Sequence, residues 1–465
     1  MSPALPDHVI RELGRTEGDA DSLGLLVRDQ DTRRLVLLRA LLDAAGEAPA
    51  TVLPPRRLNR LRQDWALLEA ADRADRTAAR AVLLYPLAGP WAQRCLRGLT
   101  APGATAGLTS DLDHLSALAA AAAIRAGLAF SVRLTAPGGG LLPLPTLGAL
   151  QTDPGPVDIA FDGDRLTLRP GRPAAATVSV HTQPDGTTSS PDPRWLPVLS
   201  LAAVLPGARP VPLDDLDPHR TSGSGLERHG LSGATNIEAA GRKAWTRSWS
   251  GVEPLLRIGG EHRLTEAAVL LRCLVPLGPP PGSGPTGQGA AHCSGTRREA
   301  FGAVLSSQPA SSAYFASTLV HELQHTKLSA LGALVRLHHE DAVPRYFAPW
   351  RSDPRPFDGL LQGAYSHIAL ADYWQRFARG AERVAHRDLA WAEHARCREQ
   401  VGAVLPVLAG SGALTHEGRV LVNEMISLYH RLADCPPPTG HLARAAAYVT
   451  TARVIWQQRN GSRRA

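Results

Sequence analysis

The hydrophobic period of this chain changes twice, and that alternation restricts its possible folds more than any single motif. Leucines recur at helical spacing over Ser22–Ala45, and Arg56–Leu83 is a second charged amphipathic run, so residues 1–130 read as helical. From about Phe130 to Val180 the period shortens. Ser131–Leu134, Val157–Phe161 and Arg165–Leu168 read as strands, with Asp162-Gly163-Asp164 as a hairpin turn. His181–Pro193 is a turn-rich loop or linker. Helix returns from about Asn236 to Leu274 with an interruption near Pro254, and Pro276–Gly289 is an irregular Pro/Gly loop. Phe301–Ser306 predicts a short apolar strand, and Ser311 or Ser312 caps a helix that continues through His321 to about Leu337. Pro344, Pro349, Pro354 and Pro356 break the next stretch, and helices follow at about Phe357–Ala378, Glu382–Leu405, His416–Leu432 and His441–Gln458. The expected fold is mainly α with a small β region, an α+β class. Residues 1–205 form an N-terminal helical region with a short β-rich segment, and residues 206–465 form a second domain. A chain of 465 residues has ample material for such a division.

Charge excludes little. The 50 basic residues exceed the 43 acidic ones by a formal +7, yet only Lys243 and Lys327 are lysines. The arginines are scattered and no nucleic-acid motif accompanies them, so no nucleic-acid partner is expected. A weaker consequence is attraction of an acidic peptide. The longest largely apolar stretch, Leu115–Ile124, is too short to span a bilayer, and Met1–Arg11 has no signal-peptide apolar region. Cys95, Cys273, Cys293, Cys397 and Cys435 lie far apart without a CxxC pair, which argues against a cysteine zinc module or a disulfide framework. A cytoplasmic protein without membrane contact is expected.

The chemistry is concentrated in His321-Glu322-Leu323-Gln324-His325, an HExxH motif inside a helical pattern. At about 100° per residue the two histidines sit about 40° apart on one face, one turn from each other. Two imidazoles can then reach one metal, while Glu322 can reach a metal-bound water. With 17 His and an equal number of Glu in this composition, chance gives about 0.02 such matches per chain. A third ligand has to come from downstream, where His338, His339, Glu340, Asp358, His367 and Asp372 are available. The compact metzincin spacing is absent, because Leu328 and Leu331 occupy its Gly and His positions. Lys327 lies about 200° on from His325, on the far side of the helix, where it is expected to pair with an acid outside the site.

The segments HELQHTKLSAL, APWRSDPRP and GLLQGAYSHIALADYW, in that order, resemble the actinobacterial HEXXH-motif proteins associated with ribosomally made peptide natural products. LDDLDPHR at Leu213–Arg220 resembles the start of their domain, so the likeness covers about Leu213–Arg459. Members of that family are described as 2-oxoglutarate-dependent peptide β-hydroxylases. The resemblance implies a zincin-like helical catalytic domain with a mononuclear Fe(II) site that takes 2-oxoglutarate and O₂. It further implies that His321 and His325 are the helix ligands, with His367 as the third. An all-histidine set departs from the usual two-histidine, one-carboxylate triad, which leaves Glu322 or a downstream acid open as an oxygen ligand. If Glu322 is not a ligand, its place is beside the metal, bonding water or a bound oxygen species. The 5-carboxylate of 2-oxoglutarate needs a cation, and Arg351 and Arg355 fall in the matched loop, with Arg355 favoured because prolines flank it. Gln362 and Tyr365 precede His367 on the same helix and are placed to line the pocket, with core packing the equal alternative for Tyr365.

Three readings follow. The first is an Fe(II)/2-oxoglutarate oxygenase that hydroxylates the β-carbon of a residue in a ribosomally made precursor peptide, with that peptide, and a peptide-modifying enzyme beside it, as partners. Strand Phe301–Ser306 is expected to offer the peptide an edge for β-augmentation. The second is a zinc metallopeptidase with Glu322 as general base. No glutamate lies between Glu340 and Glu382, which favours the hydroxylase. The third is a peptide-binding scaffold with a vestigial metal site.

Overall fold

The computed structural model describes residues 5–101, 103, 106–172, 176–183, 185–221, 231–280 and 292–460. Most of the predicted Pro276–Gly289 loop, and Pro184 of the earlier turn-rich stretch, lie outside them. The fold is mixed α and β, about 55% helical.

Six helices open the chain: α1 (Asp7–Gly14), α2 (Ala20–Glu47), α3 (Pro55–Ala74), α4 (Arg76–Leu83), α5 (Ala88–Thr100) and α6 (Leu108–Arg125). The run expected as one helix over Arg56–Leu83 breaks at Asp75, whose extended backbone ends α3 while its carboxylate caps α4 at Ala78. Two antiparallel sheets follow. One joins β1 (Phe130–Ala136), β4 (Gly155–Phe161), β5 (Arg165–Pro170), β6 (Val178–Thr182) and β7 (Thr188–Ser189) as neighbours; the other joins β2 (Leu141–Leu144), β3 (Gly148–Gln151) and β8 (Trp195–Pro197). The β4–β5 turn is the expected one: Gly163 has φ +109°, and Asp162 Oδ1 accepts from the amides of Asp164 and Arg165.

The third sheet carries the site. Its order is β12–β13–β11–β10–β9, built from β9 (Leu199–Leu201), β10 (Val211–Leu213), β11 (Cys273–Leu277), β12 (Ser294–Thr296) and β13 (Ala303–Ser307). β10, β11 and β13 run parallel, and β12 is an antiparallel edge. The predicted strand at Phe301–Ser306 is therefore interior. Its polar backbone is spent on β11 and β12, so it offers no edge to a peptide.

Helices α7 (Ala239–Trp249), α8 (Val252–Ile258) and α9 (Glu261–Leu270) lie between β10 and β11. The interruption falls just before Pro254, which sits in the first turn of α8 where its missing N–H costs nothing. α10 (Ser312–Leu334) starts at Ser311, whose hydroxyl accepts from the Tyr314 amide, and packs against α2, α8 and α9. α11 (Phe357–Gly380), α12 (Val384–Gly402), α13 (Leu405–Ala409), α14 (His416–Arg431) and α15 (Thr439–Asn460) complete the chain. α11 packs on α10, α12 on α11, and α15 on α12.

Apolar side chains divide into two large cores and a small one. Leu38, Trp91, Leu118, Ile159 and Leu168 belong to the N-terminal core; Phe315, Leu319, Tyr365, Ile368 and Met425 belong to the core around α10 and α11. α2 runs through both, with Leu23 and Leu26 in the latter and Leu38, Leu41 and Ala45 in the former. Val9, Ile10 and Leu13 of α1 also pack with the α10–α11 core. The first 205 residues thus contribute to both cores. Among the described residues no helix is long and apolar enough to cross a membrane.

Candidate functional site

Helical geometry within α10 brings His321 and His325 onto one face, and their Nε2 atoms stand 3.1 Å apart. The tautomers follow from the partners. Gln362 Nε2 donates to Ser329 Oγ at 3.3 Å, so its Oε1, 3.1 Å from His325 Nδ1, accepts a proton from that ring nitrogen. His367 Nδ1 lies 2.8 Å from the Gly363 carbonyl oxygen, which can only accept, so Nδ1 carries the proton there too. Both rings therefore present an Nε2 lone pair.

His367 comes from α11, which packs along α10. Its ring stands 5.3 Å from the His321 ring, nearly perpendicular, and Trp350 stacks on its other side at 4.5 Å. Gly363 makes that stack possible, because a Cβ there would lie 2.3 Å from the Trp350 ring. Burial, then the neighbouring His325, His367 and Arg396, push His321 well below the usual imidazole range, and burial brings His367 down to about 3. His321 Nδ1 is buried without a partner, so a neutral His321 carries its proton on Nε2 and donates it to His325 Nε2, a proton that a bound cation would replace. Two imidazoles bound to one ion at about 2.0–2.1 Å place their nitrogens roughly 3 Å apart, so the pair fits a metal. Among the described residues no group of three or more His, Cys, Asp or Glu is already drawn together to hold an ion, so the pair is the preformed part.

Glu322 is fully inside the protein, held from edge strand β12. Ser294 Oγ donates to Glu322 Oε1 at 2.7 Å, the Thr296 hydroxyl is a second partner, and Oε2 is buried with none. Burial raises its carboxyl above the ordinary glutamate value.

These side chains line a cavity of about 700 Å³ together with Arg351, Arg355 and Arg396. Arg351 Nε donates to Asp353 at 2.8 Å, and Arg355 Nη1 lies 3.4 Å from the same carboxylate. The Arg355 backbone is tied to Tyr346 in an isolated bridge, so its loop is ordered as expected between prolines. A second cavity, of about 920 Å³, runs on along α10 and shares Thr296, Arg298, His325, Asp358 and Gln362 with the first.

Of the other downstream candidates Asp358 lines the same cavity, paired with Arg298, and the rest are engaged elsewhere. Asp372 pairs with Arg263 and Arg376 behind the helices. α10 ends at Leu334, so His338 lies beyond it, bridged to Leu414 and 3.4 Å from Asp358, which also pairs with Arg298. The His339 amide is bonded to Ala413, and Glu340 lines only the second cavity. Tyr365 is core, its hydroxyl donating to the Leu13 carbonyl. Lys327 is behind the helix and pairs with Glu266, as its angular position predicts.

Sequence reasoning missed Ser294 and Thr296, which hold Glu322, and Arg396, Gln400 and Tyr448, which line the cavity from α12 and α15. Trp350, within the matched loop, carries no metal-ligating group and so gave no signal of its place against His367. No local motif marks the others. No protein-family model and no curated protein matches the chain.

Proposed function

We propose that the protein is an Fe(II)/2-oxoglutarate-dependent oxygenase, with a zincin-like catalytic half, that hydroxylates a β-carbon in a peptide substrate. The observation that carries this reading is that the His321–His325 pair shares one cavity with five arginines, Arg297, Arg298, Arg351, Arg355 and Arg396. One guanidinium in such a wall can take the carboxylate of an anionic co-substrate bound beside a metal.

His321 and His325 would hold the iron, with His367 reaching it by a small ring movement. Ferrous iron with 2-oxoglutarate and O₂ supplies the oxidising chemistry, yielding succinate, CO₂ and a hydroxylated C–H position. The chain's own residues orient and enclose. Gln362 and the Gly363 carbonyl keep the Nδ1 protons of His325 and His367 in place, so Nε2 stays available. Trp350 holds the His367 plane and excludes water from that side. Ser294 and Thr296 keep Glu322 beside the histidine pair, where its Oε2 can hold a water or a substrate donor. The adjoining second cavity gives room for a chain on one side of the reacting residue.

A second reading, a zinc metallopeptidase with Glu322 as general base, is favoured by the placement of Glu322 beside the histidine pair and next to an edge strand. Anaerobic reconstitution with Fe(II), followed by 2-oxoglutarate titration, separates the two. A visible metal-to-ligand charge-transfer band that saturates is expected. No band, with zinc retained through purification and peptide cleavage lost in Glu322→Gln, would establish the peptidase instead.

A further inference from the structure

The cavity's arginines stand on three supports and are not equivalent: Arg297 and Arg298 follow β12 and pair with Glu299 and Asp358, Arg351 and Arg355 share the loop before α11, and Arg396 is on α12. We propose, resting on the oxygenase reading, that Arg396 with Gln400 on α12 receives the far carboxylate of 2-oxoglutarate, and that the loop arginines Arg351 and Arg355 do not. Arg351 and Arg355 share Asp353, which supplies them an anion already. The Nε–Nη2 edge of Arg355 is laid against Gly359 in the first turn of α11: a Cβ there would lie 3.0 Å from both nitrogens. That packing accounts for the buried, unpartnered Nε and leaves Arg355 no open fork toward the histidines.

Arg396 is arranged differently. Glu393, one turn earlier, takes its Nε and Nη2, which fixes the guanidinium plane. Nη1 is left on the other side, 3.4 Å from Gln400 Oε1. Gln400 is completely buried, lines the cavity, and its Nε2 has no partner. A buried amide donor without an acceptor costs free energy until something supplies one. Arg396 Nη1 and Gln400 Nε2 thus form a two-point receptor for a carboxylate, on a helix packed directly against α11 and its His367.

The test uses Fe(II)-loaded full-length protein without oxygen and two probes, 2-oxoglutarate and 2-oxobutyrate. Both have the chelating 2-oxo acid, and only the first has the far carboxylate. Wild type is expected to prefer 2-oxoglutarate by about tenfold to a hundredfold, as one charged hydrogen-bonded pair provides. Arg396→Leu should collapse that preference to within about threefold, with Arg396→Lys and Gln400→Leu intermediate and iron content unchanged. Arg355→Leu should keep it. Loss of preference in Arg355→Leu with retention in Arg396→Leu and Gln400→Leu overturns the assignment. Absence of any charge-transfer band in wild type overturns the oxygenase reading itself, and the assignment with it.

Discussion

Replacing Lys327 by methionine probes what holds the motif helix in place without touching the cavity. Lys327 is fully buried, donates to the carbonyls of Thr16 and Glu17 at 3.0 and 2.9 Å, and pairs with Glu266. Glu266 also accepts from Arg263 and Gln324 at 3.0 Å each, and Arg263 reaches Asp372. This is a buried set of two cations and two anions joining α9, α10, α11 and the turn after α1. Burial alone would raise the Glu266 carboxyl, but Lys327 and Arg263 hold it at about 2; burial draws Lys327 down to about 8. Both stay charged at neutral pH. Methionine preserves the chain length and removes the cation, leaving one anion in excess and the Glu17 carbonyl without its donor, while the Thr16 carbonyl keeps Arg263. Breaking a buried pair on one side costs about 3–5 kcal/mol, so the core around α10 and α11 should lose that much. The double variant Lys327→Met, Glu266→Gln removes both charges and should lose less than the sum of the singles by about 1–3 kcal/mol. Urea unfolding of the metal-free protein, followed by far-ultraviolet circular dichroism, measures both quantities. Iron content after reconstitution should stay within about twofold, because Lys327 faces away from the histidine pair. A single-variant loss below about 1 kcal/mol, or a double variant that equals the sum, refutes the reasoning.

Further outcomes can be checked directly. His321→Ala and His325→Ala should each abolish activity and lower bound iron; His367→Ala should do the same, and normal turnover in it would remove His367 from the ligand set. Gln362→Leu leaves the His325 Nδ1 proton unheld and should weaken metal binding about 10–100-fold by competition titration; unchanged affinity would refute its orienting role. Burial holds His367 and His262 near 3 and His219 near 4 in the fold, against about 6.5 unfolded. The unfolded chain therefore binds more protons below pH 6.5, so their stabilisation is complete above that value. Each histidine then loses about 1.4 kcal/mol per pH unit as pH falls toward its folded value. The metal-free protein should unfold at less urea at pH 5 than at pH 7, and equal midpoints would contradict this. Cobalt(II) bound at the histidine pair should quench the fluorescence of Trp350, stacked on His367, and Trp350→Phe should remove most of the quenching.

The helices were legible wherever packing follows the local pattern. Ser311 caps α10 through its hydroxyl, and the four C-terminal runs appear within a few residues of their expected limits. Errors fell where neighbours decide. Arg56–Leu83 has one amphipathic rhythm, yet Asp75 adopts an extended conformation and its carboxylate starts a new helix. Phe301–Ser306 has the composition of a strand in any position, and only β11 and β12 on either side make it interior. α1 and the first half of α2 bury their apolar faces against α10 and α11, a meeting that the change of texture near residue 205 does not record.

By itself the sequence determined the relations that lie within one helix turn or two. His321 and His325 share a face, and Lys327 points the other way, because 3.6 residues per turn leaves no freedom in the matter. It also supplied the loop arginines and the single downstream histidine that α11 carries beside the pair. Tertiary structure decided everything that requires two elements to meet. Ser294 and Thr296 grip Glu322 because β12 lies beside α10, Trp350 covers His367 because Gly363 has no Cβ, and Arg396 and Gln400 line the cavity because α12 packs on α11. Such meetings depend on long-range packing, and no spacing along the chain records them.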